Sequence, residues 1–126
     1  MFLKLLWLLL AGGAGTLVRF GTVALAQRLW PLHWSVGTAV ANVLGCLLAG
    51  LVFGWLQKQD VAHEDVRLVA LVGFCGAYTT FSALVLEAGQ LQQVSGWLSA
   101  LGLVALHLVL GGLALAVAWS AMVRWG

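Results

Sequence analysis

Long apolar runs alternate with short polar connections along the whole chain. Four apolar segments, at about 2–26, 35–56, 68–90 and 97–123, are each long enough to cross a hydrocarbon core of about 30 Å as a helix rising about 1.5 Å per residue. The connections between them are too short to form a soluble domain. The pattern predicts an all-α integral membrane protein in which residues 1–126 form a single domain of four transmembrane helices.

One stretch interrupts this pattern inside the third segment. Residues Gly73 to Ser82 read GFCGAYTTFS, which places two glycines and three adjacent hydroxyl residues where an apolar helix should continue. Hydrocarbon offers no partner to a broken backbone, so non-helical chain at this depth must be buried in protein or line water. We therefore predict a break in helix 3 at about 74–80, the alternative being an ordinary kinked membrane helix.

Composition agrees with a membrane location, since 63% of the residues are hydrophobic and only 8% are charged. The net charge of +2 is too small and too scattered for a nucleic-acid-binding surface. Cys46 and Cys75 lie within apolar spans and fit neither a disulfide framework nor the spacing of a zinc site. We expect a multi-pass protein of the cell inner (plasma) membrane that contacts lipid and binds no nucleic acid.

The distribution of positive charges gives a weak orientation signal. With four spans, the side that holds both termini and the middle loop carries Lys4, Lys58, Arg67 and Arg124. The other side carries Arg28, with Arg19 about two turns inside the first span. Because this bias is small, insertion in both orientations is credible, and an antiparallel dimer would supply eight helices to a transport pathway.

The polar groups inside the spans are mainly hydrogen-bond donors: Thr38, Asn42, Thr79, Thr80, Ser82, His107 and Arg19. Donors without acceptors favour an anion, whereas a proton-coupled exporter needs an intramembrane carboxylate. Glu87 is the only carboxylate inside a predicted span, and its place near the end of that span indicates a vestibule or an interface.

Several of these side chains also have purely structural interpretations. Arg19 can snorkel to the interface or attract anions to a vestibule. Asn42 can bridge two helices or donate to a desolvated anion. His107 can likewise be a helix-bridging donor or a functional group. The role of Tyr78 is undecided.

The sequence contains no nucleophile, base and acid set, so we do not expect an enzyme. Two classes of function stay open from the residues alone, an anion channel and a small four-span exporter of small molecules. A poorly conducting structural subunit is a third possibility, because the fourth segment is nearly bare of polar groups.

Three motifs resemble the CrcB/Fluc fluoride channel family, in order and over nearly the whole chain. They are Gly12-Gly13-Ala14-Gly15 leading to Arg19, Gly37-Thr38 followed by Asn42 and Gly45, and Gly73-Phe74-Cys75-Gly76 with Thr79-Thr80-Phe81-Ser82. The resemblance implies a passive, fluoride-selective channel that exports cytoplasmic fluoride and relieves its toxicity. It also implies a dual-topology, antiparallel dimer with two pores at the subunit interface.

The resemblance assigns roles to individual residues as well. A structural Na⁺ at the dimer centre would be held by the backbone carbonyls of Gly76 and Thr79. The fluoride pathway would comprise Asn42, Phe81, Thr38, Ser82, Thr80, Arg19 and Glu87.

The chain departs from the family pattern at positions expected to line the pore. Leu84 replaces the second pore phenylalanine, and Gly111 and Leu115 replace hydroxyl residues of the fourth segment. Leucine has no electropositive ring edge to stabilise an anion, and neither glycine nor leucine has a side-chain donor. These departures suggest that the chain is one subunit of a heteromeric channel with a paralogous partner, the rival being a working homodimer.

Overall fold

The computed structural model describes residues 1–59 and 63–125, whose regular structure is entirely helical. Helix α1 covers Phe2–Leu29 and α2 covers Val36–Gln57. The third span comprises α3 (Glu64–Arg67), a π-helix (Leu68–Cys75), α4 (Gly76–Tyr78) and α5 (Phe81–Ser95). Helix α6 covers Trp97–Trp125.

Four helical stretches are long and apolar enough to cross a membrane, namely α1, α2, the third span from Glu64 to Ser95, and α6. The prediction of an all-α protein with four such spans is confirmed. The sequence-based limits of the third span were too short, because its helix continues into the polar residues at both ends. Large apolar side chains such as Leu9 and Leu17 point outward, as expected for helices that face lipid tails.

The interruption of the third span is narrower than predicted. Only Thr79 and Thr80 leave the helical conformation, with φ and ψ of −83° and 160° for Thr79 and −150° and 117° for Thr80. Residues 74 to 78, which the predicted break included, stay helical. The glycines in this stretch therefore do not unwind the helix. The preceding π-helix is an uncommon local geometry that is frequent at functional sites.

Glycines allow the helices to approach to backbone contact. A Cβ on Gly50 of α2 would lie 2.4 Å from the carbonyl oxygen of Leu115 in α6, and one on Gly15 of α1 would lie 2.4 Å from the carbonyl oxygen of Phe74. Such close approach is typical of small residues between membrane helices. At one end of these helices, Lys4 Nζ lies 2.6 Å from Asp65 Oδ1 and links α1 to α3.

Gly50→Ala tests this packing. The added methyl group meets backbone, which cannot rotate away, so we expect a loss of about 1–3 kcal/mol of stability and a lower thermal midpoint in detergent. Gly112→Ala is the matched control, because no heavy atom lies within 4 Å of its Cβ position. Equal midpoints for the two variants, read from recovery on size-exclusion chromatography after heating, would contradict the close approach of α2 and α6.

Candidate functional site

The side chain of Asn42 in α2 closes the helix break. Asn42 Nδ2 donates to the carbonyl oxygen of Thr80 over 3.1 Å, and the N–H of Thr80 donates to Asn42 Oδ1 over 2.7 Å. The amide thus offers one donor and one acceptor to a residue in extended conformation, as a neighbouring strand would. Both backbone groups of Thr80 are satisfied at a depth where water is scarce. Asn42 therefore bridges two helices, and its second N–H is not used in this contact.

The hydroxyl groups of the break complete the helices on either side. Thr79 Oγ1 and the Thr79 N–H both donate to the carbonyl oxygen of Cys75, each over 3.0 Å. Thr80 Oγ1 accepts from the N–H of Ala83 over 3.2 Å and so caps the start of α5. Threonine is a favoured residue at this N-cap position because its oxygen satisfies an N–H with no helical partner.

These two contacts free the carbonyl oxygens of Gly76 and Thr79. In a continuous helix the N–H of Thr80 would bond to Gly76, and the N–H of Ala83 would bond to Thr79. Here the N–H of Thr80 bonds to Asn42, and the N–H of Ala83 bonds to the Thr80 hydroxyl. Free carbonyl oxygens at a helix break are suitable ligands for a hard cation such as Na⁺. The carbonyl oxygens of Gly76 and Thr79 therefore fit the ion that the resemblance implies.

Tyr78 anchors the break to α1, which gives this residue a structural role. Its side chain is buried, its hydroxyl lies 3.2 Å from Thr22 Oγ1, and its ring stacks on Phe74 at 6.0 Å between centroids. A Cβ on Gly45 would lie 2.2 Å from Thr79 Cγ2 and 3.3 Å from Tyr78 Cδ1. A glycine is therefore required at position 45 for α2 to reach the break.

A cavity of about 370 Å³ opens beside the break. It is lined by Thr16, Arg19, Phe20, Val23, Thr38, Thr80, Ala83 and Glu87. Four residues of the sequence-predicted pathway thus meet in one place: Arg19, Thr38, Thr80 and Glu87. Within the cavity Thr38 Oγ1 donates to Glu87 Oε1. The Arg19 guanidinium supplies a positive charge that favours anions.

Other predicted pathway residues lie outside this cavity. Phe81 and Ser82 are exposed on the surface of the chain, Phe81 with 74% of its area accessible, and Gly76 is exposed as well. Thr16, which is not among the predicted pathway residues, also lines the cavity, three residues before Arg19. Because residues three apart share a helix face, this spacing was the signal that could have found it.

The family model described as "CrcB-like protein, Camphor Resistance (CrcB)" matches residues 6–119. The chain belongs to the CrcB family. It is 44% identical to the "Fluoride-specific ion channel FluC" of Nitratidesulfovibrio vulgaris over 76% of this chain and 77% of that protein. It is 39% identical to the protein of the same name from Nitrosococcus oceani, over 86% of this chain and 84% of the relative. A third relative of that name, from Flavobacterium psychrophilum, is 34% identical over 93% of this chain.

Two of the departures from the CrcB pattern lie in the interior of the chain. Leu84 is only 4% exposed. Gly111 is buried where α6 meets α2, and a Cβ there would lie 3.1 Å from Cys46 Sγ. Leu115 is more exposed, at 36%. In this CrcB chain, replacing Leu84 or Gly111 therefore affects packing as well as any pore.

Asn42→Leu and Asn42→Asp test the closure of the break in this CrcB protein. Leucine leaves the N–H of Thr80 without a partner and removes the side-chain donor from its carbonyl, and aspartate removes that donor and places a carboxylate against a carbonyl. Leaving a buried polar group unsatisfied costs about 1–3 kcal/mol, so both variants should have lower thermal midpoints.

Ser99→Ala is the control for this pair, because the Ser99 hydroxyl makes one solvent-exposed hydrogen bond, to the carbonyl oxygen of Ser95 at the junction of α5 and α6. A midpoint for Asn42→Leu as high as that of Ser99→Ala would show that the amide does not hold the break.

Proposed function

We propose that this chain is a subunit of a passive fluoride channel that lets fluoride leave the cell and so relieves fluoride toxicity. The observation that carries the proposal is the helix break closed by Asn42 beside a cavity that contains Arg19. Relatives 34–44% identical to the chain are named fluoride-specific ion channels, which supports a channel over an enzyme. The small multi-pass fold would place it in the plasma membrane of the cell.

Fluoride is strongly hydrated, so a pathway must replace water with hydrogen-bond donors and positive potential. Arg19 attracts the anion to the cavity, and the hydroxyl of Thr80 lies where the cavity meets the break. The unused N–H of Asn42 and the electropositive ring edge of Phe81 are the next groups that can solvate an anion. Ser82 Oγ, 3.3 Å from Thr80 Oγ1, continues the row of hydroxyls.

We also infer an antiparallel dimer with a structural Na⁺ at its centre. Each chain contributes the freed carbonyl oxygens of Gly76 and Thr79, so two copies offer four oxygen ligands to one ion. Bound there, Na⁺ would supply a fixed positive charge and hold the two breaks together. The exposure of Gly76, Phe81 and Ser82 in the single chain supports a second subunit over these residues. The weak orientation signal of the sequence permits both insertions.

The second subunit is either another copy or a paralogue. The heteromeric alternative is supported by Leu84, Gly111 and Leu115, which lack the groups that the family pattern puts in the pore. The burial of Leu84 and Gly111 shows how the chain packs without those groups. A paralogous partner would then bring the missing phenylalanine and hydroxyls.

Efflux from liposomes that contain only this protein tests the proposal. We expect fluoride efflux that needs no proton gradient and greatly exceeds chloride efflux. Efflux that requires a proton gradient would indicate an exporter and overturn the channel. Efflux that appears only when a paralogue is added would establish the heteromer, and robust efflux from the protein alone would exclude an obligate partner.

Restoring the absent pore groups gives a further test. Gly111→Ser adds a donor but crowds Cys46, so we expect it to lower stability and Cys46→Ala to relieve the contact in the double variant. Leu84→Phe adds the ring edge at a buried position. If these groups are what the pore lacks, fluoride flux should rise by about tenfold or more, since a hydrogen bond to a charged group contributes about 1.5–3 kcal/mol.

Cys46→Ala alone is the control for the double variant, and it should leave flux at the level of the unmodified protein. Unchanged flux in well-folded Leu84→Phe and Gly111→Ser/Cys46→Ala proteins would count against missing pore groups as the limit on transport.

A further inference from the structure

A groove at one end of α2 and α6 combines hydrogen-bond donors with a positive charge. It has a volume of about 230 Å³ and is lined by Gln57, Trp119, Ser120, Val123 and Arg124, with no carboxylate among these lining residues. Gln57 is the last residue of α2, and Arg124 lies in the last turn of α6. Because both helices are membrane spans and tryptophan favours the membrane interface, the groove lies at the level of the lipid headgroups.

The amide of Gln57 is held with its nitrogen free. Trp119 Nε1 donates to Gln57 Oε1 over 2.7 Å, and because an indole N–H can only donate, the amide oxygen must be the atom that faces Trp119. The ring of Phe53 packs edge-on against Trp119, with 5.6 Å between the centroids, and keeps the indole in place. In the described part of the chain this is the only side-chain hydrogen bond of Gln57. The N–H groups of its amide therefore stay available to a ligand.

Ser120 and Arg124 add further donors beside this amide. The Ser99 hydroxyl, near the start of α6, donates to a carbonyl four residues earlier, whereas among the described residues the Ser120 hydroxyl makes no such bond. Within residues 1–59 and 63–125 the only ion pair joins Lys4 to Asp65, so the Arg124 guanidinium is not neutralised there. An amide, a hydroxyl and a guanidinium that can all donate to one point are complementary to a phosphate.

We propose that this groove binds the headgroup of an anionic phospholipid, whose phosphate oxygens accept from Arg124, Ser120 and the amide of Gln57. Basic pockets between transmembrane helices are typical sites for such headgroups. The acyl chains would contact Trp119 and Phe53, which lie about one turn deeper and are both partly exposed. A soluble phosphate gains no such apolar contact, so the groove fits a lipid better than a free anion. This inference does not depend on the proposed fluoride channel.

Native mass spectrometry of the full chain, released from detergent micelles, tests the proposal. The probes are phosphatidylglycerol and phosphatidylcholine with identical acyl chains, so that only the headgroup differs. We expect the first phosphatidylglycerol to bind at least about fivefold more tightly, because one arginine near the surface contributes about that factor for an anionic lipid. Equal affinities for the two lipids would overturn the proposal.

Gln57→Glu is the sharpest variant, because the glutamate oxygen still accepts from the Trp119 indole while the amide donors are replaced by a negative charge. We expect affinity for phosphatidylglycerol to fall by about tenfold or more, since hydrogen bonds to a charged group are lost. The thermal midpoint in phosphatidylcholine micelles should stay that of the unmodified protein, which would show that the helix contact is intact. A folded Gln57→Glu protein that keeps its preference for phosphatidylglycerol would refute the site.

Arg124→Gln should weaken phosphatidylglycerol binding by about fivefold. Arg28→Gln is the matched control, because Arg28 is also exposed in the last turn of its helix, α1, so each variant removes one charge from a helix C-terminus. Equal losses in the two variants would indicate general attraction to the protein surface and would contradict a specific groove. Inorganic phosphate that raises the thermal midpoint as much as phosphatidylglycerol does would show a free-anion site and overturn the lipid as its occupant.

Discussion

The amide of Asn42 is the contact on which the rest of the site depends. Extended residues in the middle of a membrane helix leave backbone groups that neither the helix nor lipid can satisfy. By bonding both the N–H and the carbonyl of Thr80, one side chain makes the break stable. That bond diverts the N–H of Thr80 from Gly76, and so a contact that stabilises the fold also creates a free carbonyl oxygen.

The packing of α2 follows from the same contact. Asn42 reaches Thr80 only if the two backbones come close, and Gly45, one turn further along α2, allows this because a Cβ there would overlap Thr79. Tyr78 secures the other side of the break through its hydroxyl contact with Thr22 on α1. The break is thus held from two directions by buried side chains, which makes it a fixed feature of the fold and not a point of free bending.

Hydropathy predicted the four spans, because the requirement for about 20 apolar residues is strict, and the polar stretch after Gly73 predicted the break. Its limits were less predictable. Glycine disfavours a helix only weakly, so the presence of Gly76 in the sequence did not show whether the helix ends before or after it. The hydrogen bonds of Thr80 in the structure show that the helix ends after Gly76. The cavity joins residues of α1, α2 and α5, and the burial of Leu84 within its own chain depends on packing that no local pattern encodes.

Glu87 is the residue that an anion pathway explains least easily. It lines the cavity together with Arg19, and its bond with Thr38 occupies a hydroxyl that could otherwise solvate the anion. A carboxylate there is compatible with anion passage only if its charge is offset. Arg19 lines the same cavity and supplies a positive charge, although among the described residues it makes no ion pair with the carboxylate. In an anion pathway, the positive charge of Arg19 would therefore have to offset that of Glu87.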